Sequence, residues 1–158
     1  VVGDFIVDSK DKQTKGLNRK YIHSSDSEIF KKSQYFYGMQ FIDKTQDFII
    51  LTEGVFDVIL PQKYGVPNVI CALGTTLSEY QINVLSKLNK EVIIVYDNDD
   101  KGIKTMKKVM PLLESHGISA RLLILPDDKD LAEITLEYKY NTLNYILDNS
   151  NKISKTNK

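Results

Sequence analysis

The sequence predicts an α/β protein: a doubly wound, mainly parallel sheet with helices on both faces. Three observations predict it. Apolar runs of strand length recur at 47–52, 68–73, 92–96 and 119–125. The segments between them carry apolar residues at helical spacing, which is the strand–helix alternation of parallel sheets. Each run also stops at a residue that ends strands or turns the chain: Glu53-Gly54, Gly74, Asp97 and Pro126.

Taken in order, Val1–Val7 read as a short strand. The polar stretch from Asp8 to Ser27 carries Lys10, Lys12, Lys15, Arg19 and Lys20. It reads either as a phosphate-contacting loop or as a solvated connection. Ser33 to Lys44 shows Phe36, Met39 and Gln40 at helical spacing, and predicts a helix weakened by Gly38. Its aromatic residues read as core, with base stacking as the alternative. Val55 to Tyr64 predicts a helix that Pro61 should kink or shorten and Gly65 should end. Ser78-Glu79-Tyr80-Gln81 has capping-box form and starts a helix burying Ile82, Leu85 and Leu88. Ile103, Met106, Val109, Met110 and Leu113 form the buried face of a long helix ending near His116-Gly117, where His116 reads as a cap. One or two helices follow Asp130 to about Leu147. The tail from Asp148 is expected to fray.

A chain of 158 residues can bury a real core. Its formal net charge of zero argues against a broad basic surface, so nucleic-acid contact requires a local patch. A single cysteine, Cys71, precludes an internal disulfide and fits a reducing compartment, read as cytoplasmic. No apolar segment approaches membrane-spanning length, so no membrane partner is expected. The chain begins Val1-Val2 rather than with Met, and reads as a piece of a longer protein.

The chemistry gathers at Asp97-Asn98-Asp99-Asp100-Lys101-Gly102. Asp97 and Asp99, two apart after a buried strand, point to one side if extended geometry persists. Acids stand at three strand ends: Glu53; Asp97 and Asp99; and the run Asp127, Asp128, Asp130. In parallel sheets ligands collect at the carboxyl ends of strands. Carboxylates crowded there repel unless a cation sits between them, and an all-oxygen set suits Mg²⁺ or Mn²⁺. The plain alternative is a solvated acidic turn. Gly54 and Gly74 either let backbone amides approach phosphate or simply permit tight turns.

These residues also resemble a known pattern. Glu53-Gly54 with Asp97-x-Asp99 is similar to the Toprim domain of primases, topoisomerases and some nucleases. Glu53-Gly54-Val55-Phe56-Asp57-Val58, Gly65-Val66 and Ala72-Leu73-Gly74-Thr75 resemble the bacterial and phage DnaG-type primase order. So do Lys20-Tyr21-Ile22 and Glu28 to Lys32 upstream, and Leu125 to Asp130 downstream. The resemblance covers about residues 17–138. Asn98 and Lys101 depart from the usual DGD-x-AG motif. Where the family usually has Asp-Pro-Asp, this chain has Asp130-Leu131-Ala132, which leaves the second metal position open.

The resemblance implies a division into 1–46 (end of an N-terminal primase subdomain and connecting helix), 47–138 (Toprim) and 139–158 (C-terminal helix and tail). It implies metal-dependent RNA primer synthesis on single-stranded DNA from ribonucleoside triphosphates, with a replicative helicase engaged through other regions. Glu53, Asp97 and Asp99 would be catalytic. Asp97, Asp99, Asp130 and Glu53 would hold Mg²⁺ or Mn²⁺, with Asp127 and Glu133 as weaker candidates. Arg19, Lys20, Gly54, Gly74 and Thr75 would meet template or nucleotide. A Toprim nuclease or topoisomerase fragment, and a catalytically degenerate Toprim binding module, stand as alternatives.

Overall fold

The structure is a computed structural model that describes residues 5–6, 21–22, 26–74, 76–97, 100–126 and 129–152. The chain divides after Lys31 into two compact units. The first holds β1 (Phe5–Ile6) and β2 (Tyr21–Ile22), paired antiparallel.

The second unit is built on a five-stranded sheet. It comprises β3 (Phe48–Thr52), β4 (Val69–Cys71), β5 (Glu91–Tyr96), β6 (Ala120–Ile124) and β7 (Asn151–Lys152), in the order β4-β3-β5-β6-β7. The first four run parallel and β7 antiparallel. The helices are α1 (Phe56–Lys63), α2 (Glu79–Leu88), α3 (Asp100–Ser115), α4 (Leu131–Tyr138) and α5 (Thr142–Asn149). This is the doubly wound architecture the sequence predicts. Among the described residues no helix is long and apolar enough to cross a membrane.

Strand alternation divides the apolar runs between two layers. Ile49, Leu51, Ile70, Val92, Ile94 and Tyr96 join Ile82 and Leu85 of α2 and Met106, Val109, Met110 and Leu113 of α3 in one buried cluster. The alternate residues Ile50, Val69, Cys71, Ile93 and Val95 are buried on the opposite face, where α1 packs against α4. Strands sequestered on both faces read as unbroken apolar runs, and this is why they are visible in the sequence.

The local punctuation follows the sequence closely. Ser78 Oγ accepts the Gln81 N–H at 3.1 Å, and Gln81 Oε1 accepts the Ser78 N–H at 3.0 Å, closing the capping box of α2. Gln81 is buried and also donates to the carbonyls of Tyr35 (2.8 Å) and Ala72 (3.2 Å). Pro61 is tolerated inside a short α1, which ends at Gly65 with φ +80°. At the far end of α3, His116 Nδ1 lies 2.9 Å from the Leu112 carbonyl, in keeping with a capping histidine.

Two expectations are corrected. The stretch 33–44 is not a helix. It makes 3-10 turns at Lys32–Gln34 and Met39–Phe41, and between them Tyr37 bridges Cys71 on the outer edge of β4. Both hydrogen bonds of that bridge form, at 2.9 and 3.1 Å, and satisfy an edge that a helix would leave bare. Gly38, at φ +90°, makes this possible: a Cβ there would stand 2.5 Å from the Val69 carbonyl. The tail does not fray at Asp148. α5 runs to Asn149, and Asn151 and Lys152 pair with Leu122 and Arg121.

Replacing Gln81 by Leu keeps its volume but leaves the buried Ala72 carbonyl, the partly buried Tyr35 carbonyl and the Ser78 N–H unanswered. Urea denaturation is expected to show unfolding free energy lowered by about 2–3 kcal/mol. Wild-type stability would show that water substitutes for the side chain.

Candidate metal centre at the carboxyl ends of the strands

β3 leads through α1 to β4 on one side, and β5 leads through α3 to β6 on the other. The junction of β3 and β5 is therefore the switch point of the sheet, where a crevice opens beyond the strand ends. In register, Thr52 faces Val95, so Glu53 follows β3 beside Tyr96, and Asp97 follows one residue later. Parallel neighbours lie about 4.8 Å apart, which brings these two half-buried acids to the same lip. The Tyr96 hydroxyl is held above the ordinary phenol range by burial and then by the Glu53 charge beside it.

Asp130 reaches the same rim from β6, as the N-cap of α4. Its Oδ1 accepts the Glu133 N–H at 2.8 Å, and Glu133 Oε2 accepts the Asp130 N–H at 3.1 Å. Glu133 is thus engaged in a capping box. Lys129 pairs with Glu137 at 2.8 Å.

The structure adds Asp57, to which sequence reasoning assigns no role. It lies in the first turn of α1 and is only 7% exposed. Its Oδ2 accepts the Gly54 N–H and its Oδ1 the Ala132 N–H, both at 3.1 Å. One carboxylate thus clasps the turn after β3 to the first turn of α4. Burial, then the charge of Asp130, lifts its pKa from 3.8 to about 7; the Ala132 amide opposes this, and Asp97 adds to it. Asp97 and Asp130 therefore both lie within electrostatic reach of Asp57. The available signal in the sequence is an acid four residues after Glu53.

Gly54 makes room for this clasp, since a Cβ there would lie 2.9 Å from Asp57 Oδ2. Its N–H donates to Asp57 Oδ2. Gly74 is exposed, with the Ala72 carbonyl 3.9 Å from where a Cβ would be. Arg19, Lys20, Thr75, Asp99 and Asp127 lie outside the described residues. Among the described residues, no three acids, cysteines or histidines converge closely enough to enclose an ion. The donor set nevertheless suits a hard divalent cation: it is all oxygen, and the charges of Asp130 and Asp97 add to the proton affinity of buried Asp57, which a cation would relieve.

A doubly wound domain with acids gathered at its switch point belongs to the class of α/β proteins that bind ligands in the crevice beyond the carboxyl ends of their strands. The Toprim-like family model matches residues 50–135, and the chain belongs to that family. It is 39% identical over 141 residues to a DNA primase of Aquifex aeolicus, across 87% of this chain and 28% of that protein. The solved zinc-binding and RNA polymerase domains of the Aquifex aeolicus primase align over 92% of this chain and 35% of theirs, with TM-score 0.78 and 38% identity. A DNA primase domain from Pseudomonas aeruginosa shares the fold, with TM-score 0.81 at 24% identity, over 94% of this chain and 46% of that one. The chain thus spans about a quarter to a third of the length of its Aquifex relatives.

The raised pKa of Asp57 has a definite sign. Its ionised form is disfavoured in the folded state, so the penalty is complete above about pH 7 and gone below 3.8. The metal-free chain is expected to melt at a higher temperature at pH 6 than at pH 8. Saturating Mg²⁺ should raise the melting temperature more at pH 8 than at pH 6, and Asp57→Ala should flatten the pH dependence. A flat wild-type profile in calorimetry would show that Asp57 titrates as an ordinary carboxylate.

Proposed function

We propose that this chain is the catalytic Toprim part of a DNA primase, acting in metal-dependent synthesis of RNA primers on single-stranded DNA. One observation carries the reading: Glu53 and Asp97 leave neighbouring strands at the switch point, on a rim where burial, and then the charge of Asp130, lifts the Asp57 pKa to about 7. Kinship with primases supports the choice of reaction.

The reaction is nucleotidyl transfer. A 3′-hydroxyl attacks the α-phosphate of a ribonucleoside triphosphate and pyrophosphate leaves. A bound Mg²⁺ or Mn²⁺ would stabilise the charge that develops on the phosphate oxygens. Asp97 and Asp99 would hold it, with Asp130 serving a second position. Glu53 either joins the ligands or accepts a proton. Asp57, fixed by two backbone amides, adds a carboxylate near Asp130, where the family's second acid is replaced by Ala132.

Arg19 and Lys20 are our candidates for contacting template or triphosphate. Gly74 and Thr75 are those for the nucleotide. The zero net charge favours a template grip supplied outside this chain, and a replicative helicase would likewise be engaged through regions outside it. The reading places the protein in the cytoplasm.

The test uses the longer protein with single-stranded template and ribonucleoside triphosphates. Asp97→Asn is expected to lower primer synthesis by about 100-fold or more with either Mg²⁺ or Mn²⁺. Activity near wild type would remove Asp97 from the centre. Nicking of DNA in place of primer synthesis would favour the nuclease or topoisomerase reading. Absence of Asp97-dependent Mn²⁺ uptake would favour a degenerate binding module.

A further inference from the structure

We propose that Gly102 is a positioning residue for Asp97: the first turn of α3 presses against the Asp97 backbone, and only glycine leaves room for it. The proposal rests on the metal-centre reading of Asp97. A Cβ at position 102 would stand 2.0 Å from the Asp97 carbonyl oxygen, 2.9 Å from its carbonyl carbon and 3.2 Å from its nitrogen. All three contacts are with the backbone of one residue, so no side-chain rotation relieves them. Gly102 is buried and its φ is not positive. The requirement is therefore space and not backbone conformation. Gly65 and Gly117 are the reverse case, with φ of +80° and +71° and nothing within 4 Å of an added Cβ.

What would yield to a methyl group at 102 follows from what anchors each side. α3 is fixed by Met106, Val109, Met110 and Leu113, all in the main core cluster. Withdrawing it would open voids against the sheet, and such cavities destabilise by several kcal/mol. Upstream, Tyr96 is buried at the end of a strand paired on both sides. Asp97 is the first residue beyond that strand and is half-buried. The displacement from 2.0 Å to the 3.4 Å of ordinary contact would therefore fall on Asp97. A carboxylate that must meet a cation tolerates about 0.5 Å of misplacement. Gly102 thus sets where the Asp97 carboxylate stands without touching the ion.

The test is Mn²⁺ titration of this chain by calorimetry, comparing wild type, Asp97→Asn, Gly102→Ala and the double variant. Gly102→Ala is expected to weaken Mn²⁺ binding about tenfold or more while keeping a cooperative melt. It should add nothing to the loss already caused by Asp97→Asn. Wild-type Mn²⁺ affinity in Gly102→Ala, with affinity lost in Asp97→Asn, overturns the positioning role and leaves the metal centre standing. Wild-type binding that ignores Asp97→Asn overturns both. Should Gly102→Ala fail to fold, the same substitution is made beside Asp97→Gly, which loosens the backbone it strikes. The double variant should then recover a cooperative melt. Failure to fold in both backgrounds overturns the proposal.

Discussion

The rim of this sheet depends on the buried Asp57 carboxylate held between two backbone amides. Gly54 belongs to the turn that carries Glu53, and Ala132 to the turn that carries Asp130. Without a common acceptor, those two turns would be joined only through the packing of α1 on α4 and the sheet below them. The clasp has a consequence. A carboxylate 7% exposed, facing Asp130 and Asp97, is lifted to about pKa 7. The two N–H bonds offset this only in part, because burial outweighs each of them. A group driven that far from its ordinary range favours either a proton or a nearby cation.

The sheet makes such crowding tolerable. The strand bodies are fully enclosed: Ile49, Ile50, Leu51, Ile93 and Ile94 are each 0% exposed. That burial fixes β3 and β5 in register, and register fixes where Glu53 and Asp97 emerge. A one-residue slip would turn every apolar side chain to the wrong layer, so the alignment of the acids is protected by the whole core. Precision at the rim is thus obtained from hydrophobic packing several residues away.

The same enclosure explains what the sequence reveals. Strands buried on both faces must be apolar throughout, so β3, β4 and β5 stand out, β3 and β5 together with the acids that follow them. The capping box at Ser78–Gln81 is legible because cap chemistry is local. The bridge of Tyr37 to Cys71 is not, because it answers an edge formed 34 residues later. Its helical spacing misleads: Phe36 is buried from the link between the two turns, and Met39 packs against the core from the second, on the other side of Gly38. β7 is equally hidden, being two polar residues paired through backbone. Glu53, Asp97 and Asp130 can be read as strand-end acids. Asp57 cannot be read alone, because what gives it meaning is an amide 75 positions away.

That amide belongs to the residue that departs from the family pattern. An aspartate at 132 would bring a further negative charge to a turn that already raises the Asp57 pKa through Asp130. Alanine keeps the N–H that Asp57 needs and adds no charge. The carboxylate count at this corner is then made up by Asp57 and Asp130, one rigidly held and one half-exposed as a helix cap. Asp130 carries a constraint of its own, since one of its oxygens accepts the Glu133 N–H. That cap bond orients the carboxylate. The loss of one acid at 132 is therefore not equivalent to the loss of the corner: the backbone contact that organises it is retained, and the acids that remain are oriented by hydrogen bonds to the main chain.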